Sequence, residues 1–180
     1  MCCLGSSATC HLCYVKDRNI SDWVSIFDYW GIAILFLGSC YPFISYKYAC
    51  GPYIVWRYIF TSIITILVVV CMYATMTPMS RKRRAALFCV FGLSCAIPTA
   101  GLWFWQDEVN TLPAKLGPWT CALLCYVAGL VFYIKRIPEC WDNTGKFDYF
   151  GHSHNWWHMW VNLAILITCI DNYHLYHERL

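Results

Sequence analysis

Charged residues are scarce in this chain of 180 residues, because Asp, Glu, Lys and Arg make up only 13% of it. In a soluble domain about a quarter of the residues are charged. The scarcity therefore argues against a water-soluble fold. The thirteen Lys and Arg residues lie in short clusters between apolar runs, a pattern that gives nucleic-acid binding no support. The sequence also lacks internal repeats, low-complexity tracts and the symmetric halves typical of many transporters.

Apolar residues, in contrast, make up 59% of the chain. They collect in five runs long enough to cross a bilayer, which takes about 20 helical residues, and inside lipid a helix satisfies all of its own backbone groups. A shorter N-terminal segment resembles the last turns of another helix. We therefore predict an all-α, polytopic transmembrane helical bundle: a single membrane domain over 1–180 with five full spans and the end of a sixth. The predicted helices cover about 1–13, 28–46, 53–76, 85–105, 118–134 and 151–170.

Basic residues divide unevenly between the two sides of the predicted membrane. Nine Lys and Arg residues lie on the side that contains the loops 14–27, 77–84 and 135–150, and four lie on the other side. Cytoplasmic loops are enriched in Lys and Arg, so the first side is predicted to be cytoplasmic and the C-terminus to be non-cytoplasmic. The run Arg81, Lys82, Arg83 and Arg84 is expected to help set this topology and to contact anionic lipid.

Cysteine is abundant, with thirteen residues, but most cysteines fall inside apolar runs, where they are expected to act as small buried apolar residues. Cys10 and Cys13 form a CxxC pair. A zinc ribbon needs a second such pair, which the sequence does not contain.

Four ionisable residues lie where a membrane protein tends to avoid them, and such residues are candidates for function. His154 and His158 are four residues apart at the start of the last predicted helix, a spacing that lets two imidazoles on one face share a metal. An aromatic belt at the membrane interface is the alternative for this Trp-rich stretch. His11 ends the first predicted helix and Asp28 opens the next. All four are therefore expected near the cytoplasmic ends of their helices.

Three histidines with one open position are the ligand set of a catalytic zinc, which activates a water molecule. His11, His154 and His158 are therefore candidate metal ligands. Asp28 could orient the water or take its proton, and Ser7, one turn before His11, could stabilise the developing charge. A structural zinc that only joins helices is the alternative.

Other histidines compete for this role. His152 is two residues from His154 and points to a different side of the helix, so an interfacial position is expected for it. Asp171, His174 and His177 lie at least thirteen residues beyond His158, which is about 20 Å along a helix. They are expected to form a solvated polar tail.

Five stretches of this sequence, in this order, resemble the progestin and adipoQ receptor family, which includes the adiponectin receptors and the bacterial haemolysin III relatives. They are SATCHL at 7–12, FDYWGIAILFLGSCYPFISYKYAC at 27–50, RAALFCVFGLSCAIPT at 84–99, RIPE at 136–139 and GKFDYFGHSHNWWH at 145–158. RIPE followed by GKFD and SHxxxH is a specific combination.

The resemblance implies a heptahelical receptor with a zinc ion near the cytoplasmic side, held by His11, His154 and His158, with Ser7 and Asp28 beside it. It also implies hydrolysis of a membrane lipid amide such as ceramide, in which Asp28 handles the proton and an internal cavity takes the acyl chain. An unidentified extracellular or lipid ligand would act on the receptor. A non-enzymatic receptor or scaffold with a structural zinc, and an inactive fragment, are the alternatives.

The sequence departs from the family pattern at several places. Lys16 and Asp17 replace a His-Ser pair of the family, and Cys140 follows RIPE where the family has Arg. The first span of the family and most of the second have no counterpart. We therefore expect an incomplete or shortened chain.

Overall fold

The apolar runs predict helices, and helices are what the computed structural model contains. It describes residues 2–13, 18–49, 51–77, 80–104, 116–142, 144–147 and 150–177, and no strand occurs among them. The all-α prediction is thus confirmed. The chain divides into two compact units, Met1–Phe104 and Trp105–Leu180. Residues 14–17, with Lys16 and Asp17, and residues 105–115 lie outside the described residues; they cover parts of the predicted connectors 14–27 and 107–117.

Six α-helices and two single-turn 3-10 helices are found within these ranges. The first unit contains α1 (Cys2–Cys13), α2 (Arg18–Lys47), a 3-10 helix (Gly51–Tyr53), α3 (Ile54–Thr75) and α4 (Arg81–Phe104). The second contains α5 (Leu116–Lys135), a 3-10 helix (Glu139–Trp141) and α6 (Ser153–His177).

Three helical segments of the described chain are long and apolar enough to cross a membrane: Ile20–Lys47, Ile54–Thr75 and Gly117–Trp141. The predicted spans at 85–105 and 151–170 correspond to α4, which is helical to Phe104, and to α6, which begins at Ser153, but neither is among these three. The apolar part of α4 covers only Ala86–Pro98. In α6, polar side chains interrupt the apolar sequence. The helices nevertheless define a polytopic membrane protein, as predicted.

The second helix is longer than its apolar run predicts. It begins at Arg18, so Asp28 lies inside the helix, about 15 Å from its first residue, and the prediction that Asp28 opens this helix was wrong. An apolar run marks the part of a helix that can contact lipid. The polar residues before the run lower the hydropathy but do not stop a helix, because their helix propensities are only a few tenths of a kcal/mol below those of the best formers.

Close packing of α1 on α2 depends on Gly31. A Cβ atom at this position would lie 3.0 Å from the Cα atom of Cys3 and would overlap the Ser6 hydroxyl, so a larger residue would require the Ser6 side chain and the backbone of α1 to shift. Further along the same interface, the Cys10 Sγ and Ser25 Oγ atoms are 3.9 Å apart. The two helices therefore run antiparallel with α1 residues 3 to 10 against α2 residues 25 to 31, which brings the Ser7 face of α1 to Asp28.

Other contacts of the first unit join α2 to α3 and α4. The Trp30 indole N–H donates a hydrogen bond to the Met72 carbonyl over 3.1 Å, and the Phe36 and Phe91 rings meet edge to face at 4.9 Å. The Tyr48 hydroxyl donates to the carbonyl of Pro98 over 2.5 Å. The two hydrogen bonds pair polar groups in helices that are predicted to lie in lipid, where an unpaired polar group would be costly.

The two residues of the basic run at the start of α4 whose side chains the structure describes, Arg83 and Arg84, have different surroundings. The Arg84 guanidinium lies 4.2 Å from the centre of the Tyr29 ring on α2 and also donates a hydrogen bond to the Tyr29 hydroxyl, whereas Arg83 is exposed. The side chains of Arg81 and Lys82 lie outside what the structure describes. Contact of this run with anionic lipid stays a prediction.

In the second unit, α5 packs on α6 through Gly129. A Cβ atom there would lie 2.9 Å from the Trp160 Cβ atom and 3.2 Å from the Trp157 ring. Phe132, almost one turn later, contacts the rings of Trp156 and Trp160 with centres 5.6 and 6.2 Å away. Small and aromatic residues thus interlock and fix the rotation of α6 against α5.

Replacing Gly129 by Leu is expected to destabilise the second unit by about 1–3 kcal/mol, the usual cost of forcing extra methylenes into a packed interface. The apparent melting temperature in detergent should fall accordingly. Gly117→Leu is the matched control, because Gly117 lies on the same helix and no atom of the described residues lies within 4 Å of the position that its Cβ would take. Equal melting temperatures for the two variants would contradict the close packing at Gly129.

The last helix continues beyond the predicted span, to His177. Asp171 is buried, with 4% of its surface exposed, so the prediction of a solvated tail was wrong for this residue. One face of this helix is buried and includes Ala164, Thr168, Asp171 and Leu175, which are spaced by three or four residues, as the helical period requires. His174 and His177 are exposed, as a polar tail requires.

Candidate metal centre

His154 and His158 occupy the first two turns of α6. Their side chains are half-buried, and their Nε2 atoms are 3.1 Å apart. The ring planes are nearly perpendicular, at 89°. The i, i+4 spacing thus brings the two imidazoles together, as the sequence predicts.

The distance between the two Nε2 atoms can be compared with that in a tetrahedral zinc site. Two nitrogens, each about 2.05 Å from zinc and separated by the tetrahedral angle, lie about 3.3 Å apart. The observed 3.1 Å is close to this value. The pair therefore fits two positions of a metal without a change of backbone.

Glu139 holds the N-terminus of α6. Its Oε2 atom accepts a hydrogen bond from the backbone N–H of Ser153 over 2.7 Å, and its Oε1 atom accepts one from the Ser153 hydroxyl over 2.8 Å. Ser153 is the first residue of α6 and is buried. A carboxylate at this position satisfies helix N–H groups and interacts favourably with the helix dipole.

His152 supplies the remaining cap of α6. Its Nδ1 atom accepts weak hydrogen bonds from the N–H groups of His154 (3.2 Å) and Asn155 (3.4 Å). Its carbonyl accepts from the N–H groups of Asn155 (2.9 Å) and Trp156 (3.2 Å). His152 was predicted only to lie at the interface; it is a capping residue. The chain enters this cap through Gly151, whose φ of +79° favours glycine.

Aromatic residues surround the first turns of α6. The Tyr133 ring on α5 lies 6.0 Å from the His154 ring and 5.8 Å from the Trp157 ring, measured between centres. Such neighbours limit the rotamers available to His154. His154 is therefore held by the cap at the helix end and by Tyr133 of α5 along one side.

In the first unit, Ser7, His11 and Asp28 lie together. The Asp28 carboxylate interacts with the Ser7 hydroxyl and with the charge of His11. The Ser7 hydroxyl is buried but is not in hydrogen-bonding geometry with any described residue. A buried hydroxyl beside a carboxylate and an imidazole, with capacity for a further hydrogen bond, fits a place next to a bound water.

The predicted site residues thus come together within each unit: Ser7, His11 and Asp28 in the first, His154 and His158 in the second. Imidazole nitrogens, which both groups of residues offer, are among the donors that zinc prefers. Glu139 and His152, which fix α6, were missed as functional residues. The signal for Glu139 was present in RIPE, where an acidic residue precedes a helix N-terminus, but the pairing spans fourteen residues.

A cavity of about 630 Å³ lies beside this cap. Its lining includes Lys135, Arg136, Glu139, Asp142 and His152. Because most of these residues are charged or polar, the cavity suits water or a polar group and not an acyl chain. The predicted internal cavity for an acyl chain is a different feature and stays a prediction.

The helices and their apolar surfaces define an integral, multi-pass membrane protein with a candidate metal site. Comparison with known proteins gives the particular family: the model of the haemolysin-III-related family matches residues 1–169. The chain belongs to this family, which confirms the resemblance seen in the sequence.

Three relatives illustrate the relationship. Heptahelical transmembrane protein ADIPOR1 of Oryza sativa subsp. japonica is 36% identical over 89% of this chain and 43% of its own length. Heptahelical transmembrane protein 3 of Arabidopsis thaliana is 35% identical over 94% and 50%. The adiponectin receptor protein of Drosophila melanogaster is 32% identical over 92% and 38%. The chain spans half or less of the length of these relatives.

Proposed function

We propose that this protein is a membrane receptor of the adiponectin receptor type, in which a zinc site on the cytoplasmic side hydrolyses a lipid amide. The observation that carries the proposal is the 3.1 Å separation of the His154 and His158 Nε2 atoms at the start of α6. The third histidine, His11, has a carboxylate and a buried hydroxyl as neighbours. A relative named as an adiponectin receptor supports the receptor part.

His11, His154 and His158 would hold the metal in this proposal. Three neutral imidazoles leave one tetrahedral position open, as in catalytic zinc sites. Zinc bound there would supply a Lewis acid that polarises a carbonyl and makes water acidic near neutral pH. A purely structural zinc would more naturally have a fourth protein ligand.

Asp28 and Ser7 have separate roles in the proposed reaction. Asp28 accepts a proton from the attacking water and returns it to the amide nitrogen as the carbon–nitrogen bond breaks, so water is divided between a carboxylic acid and an amine. The Ser7 hydroxyl donates a hydrogen bond to the negative charge that develops on the carbonyl oxygen.

The proposed substrate is a ceramide-like lipid, because its chains remain in the bilayer and its amide can meet a carboxylate that lies inside the membrane segment of α2. Asp28 lies within α2, eight residues beyond the start of the apolar segment at Ile20, about 12 Å along the helix. The cytoplasmic side follows from the distribution of Lys and Arg, and the C-terminus is then non-cytoplasmic.

Metal analysis of the purified protein in detergent tests the metal site. We expect about one zinc per chain in the wild type and a loss of most of it in His154→Ala and His158→Ala, because two ligands cannot hold zinc as tightly as three. His174→Ala is the matched control, since His174 is exposed and lies near the other end of the same helix. Wild-type zinc content in both ligand variants would disprove the site.

A further inference from the structure

We propose that Glu139 is a positioning residue for the metal site: its carboxylate fixes the first turn of α6 so that His154 and His158 present their Nε2 atoms to one metal. The inference rests on the proposed function, because it concerns the metal ligands assigned there. It adds a residue from a different element of the second unit, fourteen positions before the helix that it controls.

The carboxylate makes two hydrogen bonds to a single residue, Ser153, through its backbone N–H (2.7 Å) and its hydroxyl (2.8 Å). Bonds to a charged acceptor are stronger than those between neutral groups. Ser153 is 3% exposed, so water cannot readily replace the carboxylate. Since Ser153 directly precedes His154, this contact fixes the backbone next to the first histidine.

Glu139 is itself held in place by a tight turn. The Cys140 N–H donates to the Arg136 carbonyl over 2.8 Å, and the Trp141 N–H donates to the Pro138 carbonyl over 2.9 Å. This turn follows directly from the end of α5 at Lys135. The carboxylate thus connects the C-terminal end of α5 to the N-terminal end of α6.

The first turn of a helix is where such an anchor matters most. Each residue turns the helix by about 100°, so a slip of one position would move both imidazoles away from a common point. Without intrahelical acceptors, the first N–H groups also allow the end to fray. His154 lies in this turn and His158 one turn later. Loss of Glu139 should therefore lower the metal affinity, because it loosens the first turn of α6, while the rest of the helix remains formed.

Cobalt titration of the metal-free full chain in detergent tests the inference. Glu139→Ala is expected to weaken cobalt binding by about 10- to 100-fold, the usual effect of losing a group that orients metal ligands. Glu139→Gln should remain within a few-fold of wild type, because its amide oxygen can accept from the Ser153 N–H and its amino group can donate to the Ser153 hydroxyl. Ser153→Ala, which loses one of the two bonds, should fall between them.

Asp142→Ala is the matched control. Asp142 is a nearby carboxylate that accepts a hydrogen bond from the Thr144 N–H over 2.9 Å, within its own loop. This variant should bind cobalt like the wild type. Cobalt also reports geometry, since its visible absorption depends on the arrangement of its ligands. The band of the Glu139→Ala complex should shift or lose intensity, and that of Glu139→Gln should not.

The outcomes separate this inference from the proposed function. Wild-type cobalt affinity and spectrum in Glu139→Ala would overturn the positioning role and leave the metal site standing. Absence of binding in the wild type itself would overturn the metal site and, with it, the role of Glu139. Amide hydrogen exchange of residues 153–156 gives a readout without metal: it should be faster in Glu139→Ala, and unchanged exchange would overturn the anchor. If Glu139→Ala does not fold, the cobalt affinities of Ser153→Ala and Glu139→Gln are compared instead, and Ser153→Ala should bind cobalt more weakly.

Discussion

Asp28→Asn is expected to lower hydrolysis of a short-chain ceramide by about 10²- to 10⁴-fold, the usual contribution of a general base, with zinc content close to that of the wild type. Asparagine keeps the size of the side chain and an oxygen that can accept hydrogen bonds, but it cannot take up a proton near neutral pH. The proposed ligands are unchanged in this variant. Product release from the ceramide and zinc per chain, measured on the same preparation, check the prediction.

Asp22→Asn is the control for this change. Asp22 lies on the same helix, is exposed, and precedes Asp28 by six residues, so its replacement alters charge but not the proposed site. It should retain wild-type activity. An Asp28→Asn variant as active as the wild type would remove the enzymatic role of this carboxylate and favour a receptor in which zinc only stabilises the fold.

Most of the fold follows from the sequence because lipid imposes a simple rule. A segment in a bilayer must satisfy its own backbone hydrogen bonds, so an apolar run such as 54–75 has few alternatives to a helix. The apolar sequence predicts a helix over 53–76, and the observed α3 covers Ile54–Thr75. The rule fails where a helix begins before its apolar run, as α2 does before residue 28, because there hydropathy no longer marks the helix boundary.

The candidate site is predictable where its geometry is local. The i, i+4 spacing alone places His154 and His158 on one face, and the structure brings their Nε2 atoms together. Ser7 and His11 are related in the same way. The Glu139 anchor is not local: it depends on the turn between α5 and α6, and no periodicity links a residue in that turn to Ser153. Its role becomes visible only from the hydrogen bonds.

Gly31→Leu is expected to remove most of the zinc as well as to destabilise the first unit. A side chain at Gly31 would meet a backbone atom of α1, the Cα of Cys3, at 3.0 Å. A backbone atom cannot turn away as a side chain can, so α1 as a whole must move. Overpacking of this kind costs about 1–3 kcal/mol.

The loss of zinc follows from the place of His11 on α1. Zinc–nitrogen distances are tolerated only within about 0.2 Å, and a side chain at Gly31 requires a shift of α1 at least as large as this tolerance, because the Cys3 backbone lies only 3.0 Å from the new Cβ position. Gly38→Leu makes the same change seven residues further along α2, where nothing in the described part of the chain lies within 4 Å of the new Cβ position, and it should keep its zinc. Melting temperature and zinc per chain, measured for both variants, distinguish the two effects. A stable Gly31→Leu protein without zinc would indicate that His11 binds the metal. A destabilised protein with its full zinc content would indicate that the histidines of α6 bind the metal without His11.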